Sequence, residues 1–479
     1  MKAIITSTAR SLWRHWPALL AWYLGGLLVH VLVIEAAGFV GAYSATLGFL
    51  ILPIAILARL VSMVAMFLVL RDGLAELGIV APLPEEPQER RRSFTSALLA
   101  SILPFVAVYW AQGMLRDDVD AYLARSLQET SNRIWTSFGA GPVDTSGTGN
   151  DIPVDVWTIT IIVVAFSARW AWGRWSAKAS AWLSPLAVYF EVVWVFFSVI
   201  VIGAITDRVQ GWIDTRAAVE LFDRIRLDVL DAVAPLAWLW DGTTWLIGQA
   251  GPILLAPLAW LTIAGVVYGQ AIVAEKLTVE IAFVTRLREH AKVVPNGMMR
   301  RLKDLGGELG SRFKPIGRAL LLMWRAGPVL VASFALLYVA VTSLEVYLKL
   351  GITRAIGPHD ITYWTIVLPL ATMLPMLLIE PLRIAVVAGA YDATLGRLRV
   401  TQQRKVDSGE ISEAEAGVRA VAGAAGLMPG TVEAVVASEA GTSGQGSIGN
   451  LMKLPSPAGS TSSQNGPSTS SGTTNPTTS

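Results

Sequence analysis

Four charged side chains lie where charge is costly. Arg59, Glu191, Glu380 and Arg383 fall inside long apolar runs. An ionisable residue inside a bilayer costs roughly 2.5–3.5 kcal/mol on insertion scales, so each needs a partner or a task. Such groups can relay a proton or ion, or hold the counter-charge of a substrate. The plainer reading is a structural ion pair, with the arginines snorkelling to the interface. At about 1.5 Å of rise per residue, Glu191 and Glu380 lie about 13 Å from the inner end of their spans, Arg59 about 16 Å and Arg383 about 9 Å. Glu380 and Arg383 are three residues apart and share a helix face. Two cations and two anions at similar depth predict one neutral polar cluster, with Arg59 facing Glu191 or Glu380. Pro369, Pro375 and Pro381 recur beside Glu380, where they are expected to kink or break the last span. In the alternative, Glu380 ends a shorter span and an interfacial helix follows.

Asp117, Asp118 and Asp120 form a second group. Acidic residues this close can hold a divalent cation beside lipid phosphate. The simpler role is to favour the dipole of a helix that begins there. A third group is basic. Between Lys276 and Arg325 eleven Lys/Arg face four acids, and Arg286, Arg288, Lys292, Arg300, Arg301, Lys303, Arg312, Lys314 and Arg318 flank apolar stripes at helical spacing. That pattern suits a helix lying on an anionic inner leaflet, where it would retain topology and anchor the loop, or dock a partner.

Other chemistry is missing from the pattern. The chain has no cysteine, and its four histidines are scattered, so no thiol chemistry and no histidine-rich metal site is expected. No GxxxxGK[ST], HExxH or GxSxG stands in it. No cofactor, metal or nucleic-acid partner is expected, catalytic residues stay unassigned, and an enzyme is the less favoured reading.

The elements that position these residues are apolar. Of 479 residues 53% are hydrophobic and only 15% charged, well under the quarter usual in soluble domains. The fold class expected is an all-α polytopic membrane protein with about eight spans: 17–34, 44–70, 94–114, 154–171, 182–205, 252–273, 326–348 and 361–389. A basic lead-in precedes the first run as in a signal peptide. The run is long for one and no small-x-small site follows, so it is expected to stay as a span. Two loops, 115–153 and 206–251, are expected to be helical and extracytoplasmic. In the first, Leu115, Val119, Leu123 and Leu127, then Ile134 and Phe138, form a stripe at helical spacing. In the second, the Trp-rich stretch 235–247 is too short to cross. Lys/Arg crowd the loops assigned inside, above all 274–325, which places both termini in the cytoplasm and the protein in the plasma membrane. Residues 401–440 read as a short helical segment. Residues 441–479, rich in Ser, Thr, Gly and Pro, cannot bury enough apolar surface to fold. Gly25-Gly26 and Gly38/Gly41 offer sites for close helix contact. The echo of residues 41–48 in 389–396 is read as coincidence.

Three functions compete. The leading one is a scaffold or accessory subunit of an envelope assembly or secretion complex, with protein partners and an anionic leaflet. The second is a transporter or permease subunit that uses the in-span charges. The third is a lipid-linked membrane enzyme, carried by the aspartates alone.

Overall fold

The computed structural model describes residues 1–80, 86–137, 156–175, 184–216, 219–221, 224, 234–269 and 327–408. Among these, 93% are helical and no strand occurs. The basic loop 274–325 with all nine of its named cations, the Gly/Ser/Thr segment 139–151, residues 409–440 and the tail 441–479 lie outside the described residues.

The chain opens with α1 (Lys2–Gly41) and α2 (Ala45–Arg71), joined by a tight turn. A short α3 (Ala75–Val80) follows, then α4 (Pro87–Ala111) and α5 (Met114–Thr136). Next come α6 (Val156–Trp175), α7 (Ser184–Asp214) and α8 (Ala234–Ala250). A π-helical turn at Gly251–Leu255 leads into α9 (Ile253–Gly269). The last helices are α10 (Pro328–Ile356) and α11 (Ile361–Asp407). Six of them, α1, α2, α4, α7, α10 and α11, are long and apolar enough to cross a membrane; α6 and α9 carry shorter apolar segments. Large apolar side chains along α1, such as Leu28, Val31 and Leu32, stand exposed. In water that surface would demand a cover, whereas lipid tails satisfy it. The chain is a multi-pass helical membrane protein.

The centre of the bundle is α2, whose most apolar window is 61% buried against 17% for that of α1. It packs on α1, α4, α7 and α11. Polar contacts between these helices use backbone carbonyls as acceptors. Ser62 donates to Trp22 O at 2.7 Å, Tyr189 to Leu50 O at 2.8 Å and Tyr268 to Phe67 O at 2.9 Å. Gly26, Gly38 and Gly41 are points of close approach, since a Cβ there would meet Ser62, Arg125 and Tyr122 at 2.4–2.6 Å. Gly25 meets nothing within 4 Å, so only one member of that pair serves packing.

Several boundaries differ from the sequence pattern. The basic lead-in is helical and continuous with the first span. The link 71–92 contains α3, whose start is fixed by Asp392 of α11: that carboxylate accepts from the N–H groups of Glu76 and Leu77 at 2.9 and 3.1 Å. The last span does not break. Pro369, Pro375 and Pro381 all sit inside one continuous helix that runs to Asp407. Residues 384–388 beyond Glu380 are buried, so this segment is core and not an interfacial helix. Neighbouring helices make such prolines tolerable by covering the freed backbone groups.

The largest departure is α5. It is not a loop helix held apart from the bundle. Its buried positions are Leu115, Asp118, Tyr122 and Thr130, while Leu127 and Ile134 of the expected stripe are exposed. Leu115, Val119, Tyr122 and Leu123 face the bundle as an apolar stripe should, and Asp118 and Thr130 are buried beside them while the far end of the stripe is exposed. Gly113, at φ 79°, makes the left-handed turn that lets α5 leave α4 in a new direction. Along α1 it is held by Arg125 on Glu35 at 2.7 Å, and Arg133 bonds the Ala42 carbonyl. Burial pushes the Tyr122 hydroxyl up to about 12, which keeps it a neutral filler against Gly41 and Gly48.

Gly389→Ala is expected to lower the melting stability of the detergent-solubilised protein by roughly 1–3 kcal/mol, because its Cβ would meet Thr8 Oγ1 at 2.5 Å and Thr8 N at 3.0 Å. Gly25→Ala, with open space, should be neutral or slightly stabilising. Equal losses in the two variants would refute the packing assigned to α1 and α11.

Candidate functional site

A cavity of about 370 Å³ lies among seven helices. Its wall takes Tyr23 and Gly26 from α1, Arg59 from α2, Tyr109 from α4, Gln112 from the turn after it, and Asp117 from α5. Trp260 of α9, Glu345 of α10, and Glu380 and Arg383 of α11 complete its polar lining. Met63, Met66, Met114 and Met376 supply an adaptable apolar part of the wall. Asp117 is exposed and stands at the rim.

Three of the four expected in-span charges meet here. Glu380 and Arg383 form an ion pair one turn apart, and both line the cavity with Arg59. Glu191 does not belong to the lining. It pairs with Arg169 of α6 at 2.9 Å, a contact by charge rather than by an aligned hydrogen bond. Arg59 faces neither Glu191 nor Glu380 as an ion-pair partner. Its guanidinium lies 3.9 Å from Asp118 Oδ1, on the helix the pattern assigned to an outer loop. The expected neutral cluster is thus two sites: Arg169–Glu191 between α6 and α7, and a cavity group around Arg59, Glu380 and Arg383.

Asp118 organises the second of these. Its Oδ1 is 3.2 Å from His30 Nε2, and its Oδ2 accepts a short hydrogen bond from Tyr109. The three aspartates accordingly diverge: Asp118 is buried, Asp117 and Asp120 exposed. Among the described residues no group of three or more His, Asp or Glu could hold a metal ion. Glu345 is taken by Lys349 at 2.7 Å, one turn on.

Three side-chain donors on lining residues lack an acceptor. Arg383 Nε, Gln112 Nε2 and Trp260 Nε1 are buried and have no hydrogen-bond acceptor. Each such buried donor costs roughly 1–3 kcal/mol. They belong to residues of the cavity lining, beside the Arg59 guanidinium. Arg383 also lies over the Trp260 ring at 5.3 Å, and Arg59 over Tyr109 at 5.5 Å, which holds both cations at the wall.

Four contributors escaped the pattern of in-span charges. Arg169 and Glu345 sit near the ends of their segments, where charge is ordinary. His30 is neutral on any charge count. Asp118 is hidden in an acidic triplet, and its only signal was that one of three aspartates falls on the same helix face as Tyr122.

No family model, no curated protein and no solved structure matches the chain. Fold and site therefore define a class on their own terms: a multi-pass helical membrane protein enclosing a charged, donor-rich cavity.

Double-mutant cycles on melting in detergent should separate the two charge sites. Arg169→Leu with Glu191→Gln is expected to be non-additive by roughly 1–3 kcal/mol, and Arg59→Leu with Glu191→Gln additive within about 0.5 kcal/mol. Glu380→Gln alone strands a buried guanidinium and should cost roughly 3–5 kcal/mol, more than Glu380→Gln with Arg383→Leu. A coupling of Arg59 to Glu191 as large as that of Arg169 would contradict the two-site arrangement.

Proposed function

We propose that the protein is a transporter or permease subunit whose cavity binds a small, acceptor-rich anionic solute. The observation that carries this is a cavity whose wall holds two guanidiniums, Arg59 and Arg383, with Ser62, Tyr109 and Gln112 beside them. Two features support it. The α4–α5 unit is interrupted at Gly113 beside the cavity, as helices are at transporter sites, and the cavity's wall is assembled from seven separate helices that can shift against one another. The accessory-subunit reading drew on the absence of catalytic motifs, the two helical outer loops, the basic loop 274–325 and the tail; of the outer-loop helices, α5 packs on α1 and α4 instead of standing free for a partner. The lipid-linked enzyme reading loses its support with the divergence of Asp117, Asp118 and Asp120.

The proposal includes the topology. All eight apolar segments cross, the shorter α6 and α9 included, with both termini cytoplasmic in the plasma membrane. The loop 274–325 rests on the anionic inner leaflet, where Arg286, Arg288, Lys292 and their neighbours also offer a surface to protein partners.

Single cysteines placed in this cysteine-free chain test the orientation. An impermeant maleimide added to intact cells is expected to label Ser146→Cys but neither Ser311→Cys nor Ser460→Cys. The opposite pattern inverts the topology.

Melting of the purified protein against chloride, nitrate, sulfate, phosphate and small carboxylates tests the function. One anion class should stabilise it saturably, by about 2.7 kcal/mol at a hundredfold excess over Kd. That gain should vanish in Arg59→Gln, and the same anion should exchange across proteoliposomes. Stabilisation by none of them, with no anion flux, returns the chain to the accessory-subunit reading.

A further inference from the structure

We propose that the solute of this cavity is an organic monoanion: one negatively charged end on a hydrocarbon body. The charged end sits at Arg59 and the body lies against a wall of methionines. The inference rests on the cavity being the solute site, and it names the chemical class of that solute.

The apolar part of the wall carries the argument. Beside its polar residues the lining holds Met63, Met66, Met114, Met376, Phe105 and Ile384, drawn from four helices. An inorganic anion placed here would give up hydration to side chains that return no hydrogen bond. A hydrocarbon body gains instead, by about a fourfold tightening for each CH2 it buries. The space fits such a body. An apolar cavity of about 150 Å³ takes up benzene. This one has about 370 Å³, within the range of sites for small organic molecules. Methionine is unbranched and polarisable, so a wall rich in it can settle around bodies of different outline.

Geometry puts the charged end at Arg59. Arg383 is engaged: it pairs with Glu380, lies over the Trp260 ring at 5.3 Å and is 8% exposed. Arg59 is 31% exposed, and the carboxylate it faces, Asp118, is 3.9 Å away. Met63 and Met66 follow Arg59 on α2 at spacings of four and seven residues, on the same helix face. The apolar wall therefore begins one turn from the guanidinium, and a body attached to an anion on Arg59 can run along it. The lining also limits the solute to one charge. Glu345, Glu380 and Asp117 stand in it, so a second negative group would face a carboxylate. A cationic end would have to displace Lys349 from Glu345 or Arg383 from Glu380, while Asp117 is exposed at the rim.

The test is thermal melting of the full-length protein in lipid nanodiscs, at neutral pH and fixed ionic strength, against sodium acetate, butyrate and hexanoate. Kd is expected to fall about fourfold per added CH2, or roughly fifteenfold from butyrate to hexanoate. Hexylamine and hexanamide carry a matching body without the anion, and they report partition into lipid. Both should bind roughly tenfold more weakly than hexanoate, the loss of one hydrogen bond to a charged group. Arg59→Gln should bring hexanoate to the level of hexanamide. Met376→Trp, which fills the cavity, should lose hexanoate while acetate still binds. The chain-length series is read in the unaltered protein, so it decides the matter even where Met376→Trp folds poorly. Acetate and hexanoate binding alike, or chloride or sulfate binding as tightly as hexanoate, overturns the organic monoanion and leaves the cavity as an anion site. Hexylamine or hexanamide binding as tightly as hexanoate overturns the charged end at Arg59. If no anion, organic or inorganic, stabilises the protein saturably, the solute-site reading itself fails and this inference falls with it.

Discussion

A charge buried among helices in lipid has to find its partner within the bundle, and the position of α5 follows from that constraint. Asp118 is almost inaccessible, and everything that compensates it comes from elsewhere in the chain: His30, Arg59 and Tyr109. Removing a partner from such a group costs roughly 3–5 kcal/mol, which outweighs what any single apolar contact of α5 contributes. The helix therefore turns Asp118 to the bundle with Leu115 and Tyr122, and leaves Leu127 and Ile134 outside. Gly113 allows the change of direction, and Gly38, Gly41 and Gly48 allow the approach.

The cavity is a by-product of the same constraint put to use. Arg59 and Arg383 need room and counter-charge, and Glu380, Glu345 and Asp117 stand at the same wall. Packing that many charges against one another with no space between them would strand donors and acceptors at poor angles. Here Glu380 and Glu345 are engaged by Arg383 and Lys349, while Asp117 stands exposed at the rim. Arg59 is the wall cation with the most distant ion-pair partner, Asp118 at 3.9 Å.

The opposite end of α11 shows the same physics used for stability alone. Asp392 accepts from two backbone N–H groups of α3 and, at 2.9 Å, from the Ser7 hydroxyl. It ties three helices together without opening space. Gly389, one turn before it, presses on Thr8. The echo between residues 41–48 and 389–396 gains a physical content from this: in both copies glycines sit at helix contacts, Gly41 and Gly48 on Tyr122, Gly389 on Thr8 and Gly396 on Glu76. Small residues recur wherever helices cross closely, so the echo needs no common origin.

The sequence by itself determined the class. Runs of apolar residues long enough to span a bilayer point to this fold, and they located the six long apolar helices found among the described residues, with Arg59, Glu380 and Arg383 singled out by the cost of their burial. It also paired Glu380 with Arg383, because a three-residue spacing is local. What only the tertiary structure decided is the partner of every charge that pairs across helices. Depth along a span says nothing about which face of which helix looks at which neighbour, so Glu191 went to Arg169 and Arg59 to Asp118. The burial of α5 was hidden for the same reason. Its mean polarity marks it as a loop, and only the pairing of Asp118 with groups on three other helices makes that polarity a reason to be inside.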